Sequence, residues 1–157
     1  MCEYCGCQNV PGIALLTEEH DAIRAVARDV IKAAHAGDRA GAVARTRQLL
    51  ALLGPHTAVE ERGLFPAMAH EFPDHVASLE SDHRFIEGTL HGILDEPTAD
   101  PRWDERLIGA CARLFDHILR EQDGLFPATL AVLTPQQWDE LAATRAAITE
   151  RAATHSA

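Results

Sequence analysis

A repeated segment constrains the fold of this chain more than any other feature of its sequence. Residues 49–68 align without a gap with residues 110–129, and both contain the pattern H-x-x-x-E-x-x-G-L-F-P. A similar offset relates two isolated histidines, His20 and His83. Each copy therefore has one isolated histidine followed by a histidine and a glutamate at a spacing of four. The sequence predicts two copies of one helical hairpin.

Apolar residues recur at steps of three and four, while the alternation typical of strands never persists. We therefore predict an all-α fold, an antiparallel up-down four-helix bundle with a short fifth helix at the C-terminal end. Thr134 opens the fifth helix with a T-P-Q-Q capping box, and Gly54-Pro55 is expected to kink the second. The four bundle helices are predicted at Thr17–Gly37, Asp38–Gly63, Pro73–Asp95 and Pro101–Asp123.

The composition indicates one globular domain without a nucleic-acid or membrane partner. The chain has 157 residues, 46% hydrophobic and 24% charged, and its formal net charge is −10. This sign disfavours binding to nucleic acid or to an anionic membrane surface. No apolar run is long enough to span a bilayer, and the first residues lack the features of a secretion signal. We expect a cytoplasmic protein, monomeric or weakly dimeric, with a cysteine-containing tail at 1–12 and the bundle at 13–157.

Histidines and glutamates interrupt the apolar faces of the predicted bundle helices. A single histidine on such a face is more often a hydrogen-bonded core residue than a ligand, but three buried glutamates without partners would cost several kcal/mol each. No lysine or arginine shares these faces, so bound cations are expected to balance the carboxylates. Imidazole with carboxylate suits iron, manganese or zinc, and a glutamate can bridge two ions. The candidate ligands are His20, His56, Glu60, His83, Glu87, His117 and Glu121.

The order of these residues resembles that of the hemerythrin-like proteins, also called HHE cation-binding domains, of the bacterial non-haem di-iron type. The resemblance covers roughly residues 13–130 and rests on an isolated histidine followed by H-x-x-x-E, twice, with each part on its own helix. It implies two iron ions joined by an oxo or hydroxo bridge. By this resemblance His20 and His56 bind one iron, His83 and His117 bind the other, and Glu60 and Glu121 bridge them.

Two positions depart from the oxygen-carrying members of that family. Glu87 stands where the carriers have histidine, and Glu121 follows His117 at a spacing of four where the carriers have aspartate at a spacing of five. A carboxylate in place of an imidazole favours ferric iron, so we do not expect reversible oxygen storage. If Glu87 completes one iron, the other keeps a position open to a small substrate.

The expected partners are small redox-active molecules: hydrogen peroxide, nitric oxide or dioxygen. One interpretation is an enzyme of oxidative or nitrosative stress defence, with catalase-like activity or peroxide-dependent oxidation of nitric oxide. A second is a module that senses or binds iron or oxygen without turnover, and a third is a structural bundle filled with zinc. No DNA-binding element accompanies the predicted bundle, which favours the first.

Three cysteines near the N-terminus form a second candidate site. Cys2, Cys5 and Cys7 could hold a metal, but zinc and iron-sulfur sites usually take four ligands. A reversible disulfide or redox-sensing pair, or an inert tail, are the alternatives. The fourth cysteine, Cys111, is interpreted as a small core residue.

The remaining residues of the pattern are given structural roles. Glu61 lies about 100° around the helix from Glu60 and is expected to face solvent or to contact the ligands from outside. Phe65 and Phe126 are expected to pack the end of the bundle. Surface positions are predicted for His35, His70, His75, His91 and His155.

Overall fold

The computed structural model describes residues 6–95 and 100–155, apart from the side chains of residues 8, 153 and 155. Within these ranges the chain is helical and contains no strand, as the sequence predicts. A 3₁₀ turn at Cys7–Asn9 precedes the first helix. The α-helices are α1 (Pro11–His35), α2 (Arg39–Val59), α3 (Phe65–Met68), α4 (Pro73–Asp95), α5 (Trp103–Arg120), α6 (Phe126–Val132) and α7 (Pro135–His155).

Helix α1 begins earlier than its sequence pattern indicates. The prediction that Thr17 caps this helix is wrong, because the helix starts at Pro11, whose fixed φ suits a first helical turn. The Thr17 hydroxyl instead donates to the Ile13 carbonyl inside the helix, at 2.9 Å. The predicted bounds of α4 and the capping box of α7 are confirmed. In that box the Gln137 side chain accepts from the Thr134 amide at 2.9 Å.

Helices α2 and α5 do not end where the sequence pattern predicts. Each passes into a π-helical turn, Glu60–Leu64 after α2 and Glu121–Leu125 after α5. The amide of Phe65 donates to the carbonyl of Glu60, five positions back. A proline follows each turn and cannot donate to the carbonyl four positions before it, so the wider turn suits the chain at this point. By contrast, the Gly54-Pro55 pair does not interrupt α2, which continues to Val59.

Four long helices form the bundle. Helix α1 packs against α2 and α5, and α4 packs against the same two helices. Two apolar clusters fill the interior: one surrounds Leu49, Leu90 and Trp103, and the other surrounds Leu64 and Phe126. No helix in the described part of the chain is long and apolar enough to cross a membrane.

Helix α7 covers one side of the bundle, beside α1, α2 and the first π-helical turn. Its buried Leu141 lies against Gly63, where an added Cβ would come within 2.7 Å of the leucine Cδ1 atom. The same leucine lies against Gly12, at 3.3 Å from the position of an added Cβ. Glycine at both positions lets α7 approach closely.

Candidate metal centre

A layer of polar side chains crosses the middle of the bundle between the two apolar clusters. Its members are at most 5% exposed, although four are imidazoles and two are carboxylates. Two come from the π-helical turns, and the others come one from each long helix. They are His20, His56, Glu60, His83, His117 and Glu121.

Each carboxylate in this layer faces both pairs of histidines. Oε1 of Glu60 lies 3.3 Å from Nε2 of His56, while its Oε2 lies 3.3 Å from Nε2 of His83. Oε1 of Glu121 lies 3.3 Å from Nε2 of His117, while its Oε2 lies 3.1 Å from Nε2 of His20. Each glutamate therefore presents one oxygen to one side of the layer and one oxygen to the other.

Two groups of potential ligand atoms result, and both contain the two glutamates. One group adds His20 and His56, and the other adds His83 and His117, with the ligand atoms of each group within 4.8 Å of one another. The pairing is the one that the resemblance implies. Neither group includes Glu87 or a cysteine, among the residues that the structure describes.

The buried polar atoms of this layer fit a bound cation better than they fit one another. Both oxygens of Glu60 and of Glu121, and both ring nitrogens of His20, lack a hydrogen-bond partner of good geometry. Buried polar atoms are rarely left unpaired, because each costs about 1–3 kcal/mol. Donors of this kind, imidazole nitrogen and carboxylate oxygen, are those that transition metals such as iron bind.

Protons carry part of the cationic charge when no metal is bound. Burial alone would lower the pKa of His56, but Glu60 and Glu19 raise it to about 10. Burial likewise opposes protonation of His83, yet Glu60 and Glu121 raise its pKa to about 9. Burial alone would raise the pKa of Glu60, but the neighbouring imidazoles hold it well below its usual range. The layer thus attracts positive charge strongly.

Comparison with known proteins identifies this layer. Residues 11–129 match the family model described as Hemerythrin HHE cation binding domain. The chain belongs to the hemerythrin family. No curated protein and no solved structure matches it. The two groups of histidines and glutamates lie within the matched residues and are the candidate cation-binding layer of this hemerythrin domain.

Three of the four histidines in the buried layer of this hemerythrin domain have a carboxylate behind the ring, at Nδ1. Nδ1 of His56 donates to Glu19 at 2.9 Å, and Nδ1 of His83 donates to Glu61 at 2.9 Å. Nδ1 of His117 lies 3.5 Å from a carboxylate oxygen of Asp82. Such carboxylates fix the ring orientation and raise the basicity of the nitrogen that faces the metal.

Arginines hold two of these carboxylates in place. Arg145 of α7 makes an ion pair with Glu19. Burial alone would raise the pKa of that carboxyl, but His56 and Arg145 together lower it. Asp82 is 1% exposed and accepts from Nε of Arg113 at 2.8 Å and from Nη1 of Arg120 at 2.6 Å. Neither these two carboxylates nor the three arginines were predicted from the sequence as part of the site.

The two phenylalanines of the repeat stack on the isolated histidines. Phe126 lies parallel to the His20 ring at 5.5 Å between centroids, and Phe65 lies nearly parallel to His83 at the same distance. Their predicted burial at the end of the bundle is confirmed, and the structure adds that they help to orient these two imidazoles.

A small cavity adjoins the layer on the side of the first apolar cluster. It has about 10 Å³ of space for a water-sized group. Three of the histidines border it, His56, His83 and His117, together with Thr57 and Glu87. The Thr57 hydroxyl donates to Oε1 of Glu87 at 2.8 Å. The structure therefore places Glu87 at the cavity, outside both groups of potential ligands.

The other predicted residues fall as follows. Cys7 and Cys111 are both buried, and burial raises the pKa of the Cys111 thiol to about 12, in keeping with a core role. Cys2 and Cys5 lie outside the described residues, so the N-terminal cysteine site stays a prediction. His35, His70 and His91 are exposed as predicted, His75 is half-buried, and the His155 side chain lies outside the described set.

Proposed function

We propose that this hemerythrin domain is a non-haem di-iron protein that reacts with hydrogen peroxide, nitric oxide or dioxygen. The observation that carries the proposal is the position of Glu60 and Glu121, each with one oxygen toward either pair of histidines. Glu60 and Glu121 would help to hold two cations, which would give partners to all four carboxylate oxygens that lack them.

The proposal assigns two histidines to each of two iron positions. His20 and His56 hold the first iron, and His83 and His117 hold the second. A pair of irons supplies redox equivalents and Lewis acidity to a small molecule beside them. The chain's own contribution is to fix the imidazoles from behind, to surround them with apolar side chains and to limit what can approach.

The size of the cavity selects the class of substrate. A space of about 10 Å³ is close to the minimum that holds one water molecule. The apolar residues Ile23, Ile86 and Leu114 line much of it. Only a molecule of a few atoms fits, which favours diatomic gases and peroxide over any organic substrate.

Glu87 gives this cavity a proton-transfer group. It is the one carboxylate among the described residues that border the cavity, and the Thr57 hydroxyl fixes one of its oxygens. Disproportionation of peroxide to water and oxygen moves two protons and two electrons from one molecule to another, so it needs no other reductant. Glu87 is placed to accept a proton from the first peroxide and to return it to the second.

The test combines iron analysis with turnover. Protein made in iron-replete medium should contain close to two irons per chain, and its oxygen release from peroxide should exceed that of free iron at equal concentration. Glu87→Gln should keep both irons and lose most of the turnover. Glu105→Gln, at an exposed position of α5, is the matched control and should behave like the parent.

Three results would change the proposal. One iron or fewer per chain would remove the dinuclear centre. Loss of one iron in Glu87→Gln would make Glu87 a ligand, as the sequence predicts. If the iron-loaded protein neither consumes peroxide faster than free iron nor removes nitric oxide, the reactive function is wrong, and sensing or binding without turnover is the better account.

A further inference from the structure

The two halves of the bundle are related residue by residue around the metal layer. The offset that pairs His20 with His83 also pairs Glu19 with Asp82, and the alignment of the two H-x-x-x-E segments pairs His56 with His117. The contacts follow the same relation, since Glu19 accepts from Nδ1 of His56 at 2.9 Å and Asp82 lies 3.5 Å from Nδ1 of His117, which makes no hydrogen bond. The residue behind one histidine therefore predicts the residue behind its counterpart.

This relation fails at one histidine. Glu61 lies behind His83, and the alignment of the two segments places Gln122 at the corresponding position for His20. Gln122 is 4% exposed, and its Oε1 accepts from Arg24 at 3.3 Å while its Nε2 has no hydrogen-bond partner. Nδ1 of His20 is fully buried and also has no partner. By this alignment a neutral amide stands where the other half of the bundle has a carboxylate.

The missing carboxylate weakens His20 as a ligand. A neutral imidazole binds metal through the nitrogen that carries no proton, and a carboxylate at Nδ1 keeps the proton there. Without that acceptor the proton can occupy either ring nitrogen of His20. Replacing such an outer partner usually changes metal affinity by about tenfold to a hundredfold.

We propose that the two cation positions are unequal, and that Gln122 makes the position held by His20 and His56 the weaker one. The inference rests on the proposed dinuclear centre. In the stronger position Nδ1 of His83 donates to Glu61, and Nδ1 of His117, although it makes no hydrogen bond, lies 3.5 Å from a carboxylate oxygen of Asp82. In the weaker position only His56 has a carboxylate behind it. The cation at His20 is therefore the one that leaves first and is loaded last.

The test is a titration of the metal-free protein with Fe²⁺ under anaerobic conditions, in competition with a chelator. The parent should bind two ions in two steps of different affinity. Gln122→Glu restores the carboxylate, with Arg24 beside it, and should tighten the weaker step by about tenfold. The affinity of the tighter step should change at most about twofold, because that step measures binding at the position held by His83 and His117. Gln48→Glu, at an exposed site of α2, adds the same charge and should change neither step.

A second variant keeps the proposal testable if Gln122→Glu folds poorly. Glu61→Gln places an amide behind His83, at a half-exposed site, and should weaken the tighter step by about tenfold. The two steps should then approach each other. Far-ultraviolet circular dichroism and thermal unfolding confirm that each variant is folded.

The outcomes separate this proposal from the one on which it rests. If the parent binds fewer than two Fe²⁺ ions, the dinuclear centre itself is wrong. If the parent binds two ions but Gln122→Glu increases the affinity of the tighter step, the two positions are equal. The difference between the two steps then comes only from the carboxylates that the positions share. If Gln122→Glu and Glu61→Gln both match the parent, neither residue tunes its histidine.

Discussion

The two halves of this bundle carry the same H-x-x-x-E-x-x-G-L-F-P segment, yet only the half that contains Glu60 lies beneath α7. Gly63 of that half is in close contact with Leu141, whereas a Cβ on Gly124 would meet only the His75 ring, at 3.7 Å. The metal layer itself is nearly symmetric. The difference between the halves therefore lies in what surrounds the ligands and not in the ligands themselves.

The supports behind the histidines differ in the same way. In the first half, Arg145 reaches from α7 to hold the carboxylate behind His56. In the second half, Arg113 and Arg120 of α5 hold Asp82, the carboxylate behind His117. One half thus depends on an additional helix that lies beyond the matched residues 11–129, while the other is supported from within the bundle.

The cavity shows the third difference. Its walls include related pairs, Ile23 with Ile86 and Leu53 with Leu114. Thr57, however, has Ile118 as its counterpart, and the offset between the isolated histidines pairs Glu87 with Arg24. A small molecule in the cavity therefore meets a hydroxyl and a carboxylate on one side only. The two copies of the repeat thus differ at positions around the candidate ligands, while the candidate ligands are the same residue types in both.

The largest effect should come from a glutamate that serves both halves. Glu60→Ala should lose both cations, because in the proposed centre each position would use one oxygen of this residue, and the protein should also lose the stability that bound metal contributes. Glu61→Ala should keep both cations with about tenfold weaker binding at one, since Glu61 only supports His83. Iron content and thermal unfolding measure the contrast. Equal losses in the two variants would mean that Glu60 does not bridge.

An intermediate effect should come from the carboxylates that serve one half each. Asp82→Asn should weaken the cation held by His83 and His117, and Glu19→Gln should weaken the one held by His20 and His56, by about tenfold to a hundredfold in each case. Anaerobic Fe²⁺ titration should show Asp82→Asn acting on the tighter step and Glu19→Gln on the weaker. The comparison between halves is wrong if both variants act on the same step.

The sequence predicts the buried layer of histidines and glutamates well because its members repeat along the chain. His56 and Glu60 stand at a spacing of four on one helix face. The second copy of the segment has the same two residue types at the same spacing, His117 and Glu121. This regularity predicted the four helices and the burial of both glutamates, whereas the pairing of the histidines is what the family resemblance implies. The structure confirms the family and the helical bundle, while the iron count and the substrate stay proposals.

The supporting residues could not be predicted in the same way, because their partners lie on other helices. Which atom Glu19 or Asp82 faces depends on how neighbouring helices are rotated and on the π-helical turns, and apolar periodicity encodes neither. A weak signal was present, since Glu19 and Asp82 each stand directly before an isolated histidine. Arg145 gave no signal, because α7 carries no part of the repeat.

The smallest expected effect is on the free energy of unfolding, and it tests whether α7 covers the half of the bundle that contains Glu60. Gly63→Ala should destabilise the protein by about 1 kcal/mol or more, because the new methyl group would displace Leu141 from a buried position. Gly124→Ala is the matched change in the other half and should be neutral, or stabilising by about 0.5–1 kcal/mol, because alanine restricts the unfolded chain and finds ordinary contact distances. Urea unfolding of the metal-free proteins measures both changes without a contribution from bound iron.

Leu141→Ala in the Gly63→Ala background is the control, because removing the obstructing side chain should reduce the free-energy cost of the added methyl group. If Gly63→Ala and Gly124→Ala have equal effects, α7 does not cover the first half in solution, and the support that Arg145 gives to Glu19 is absent as well.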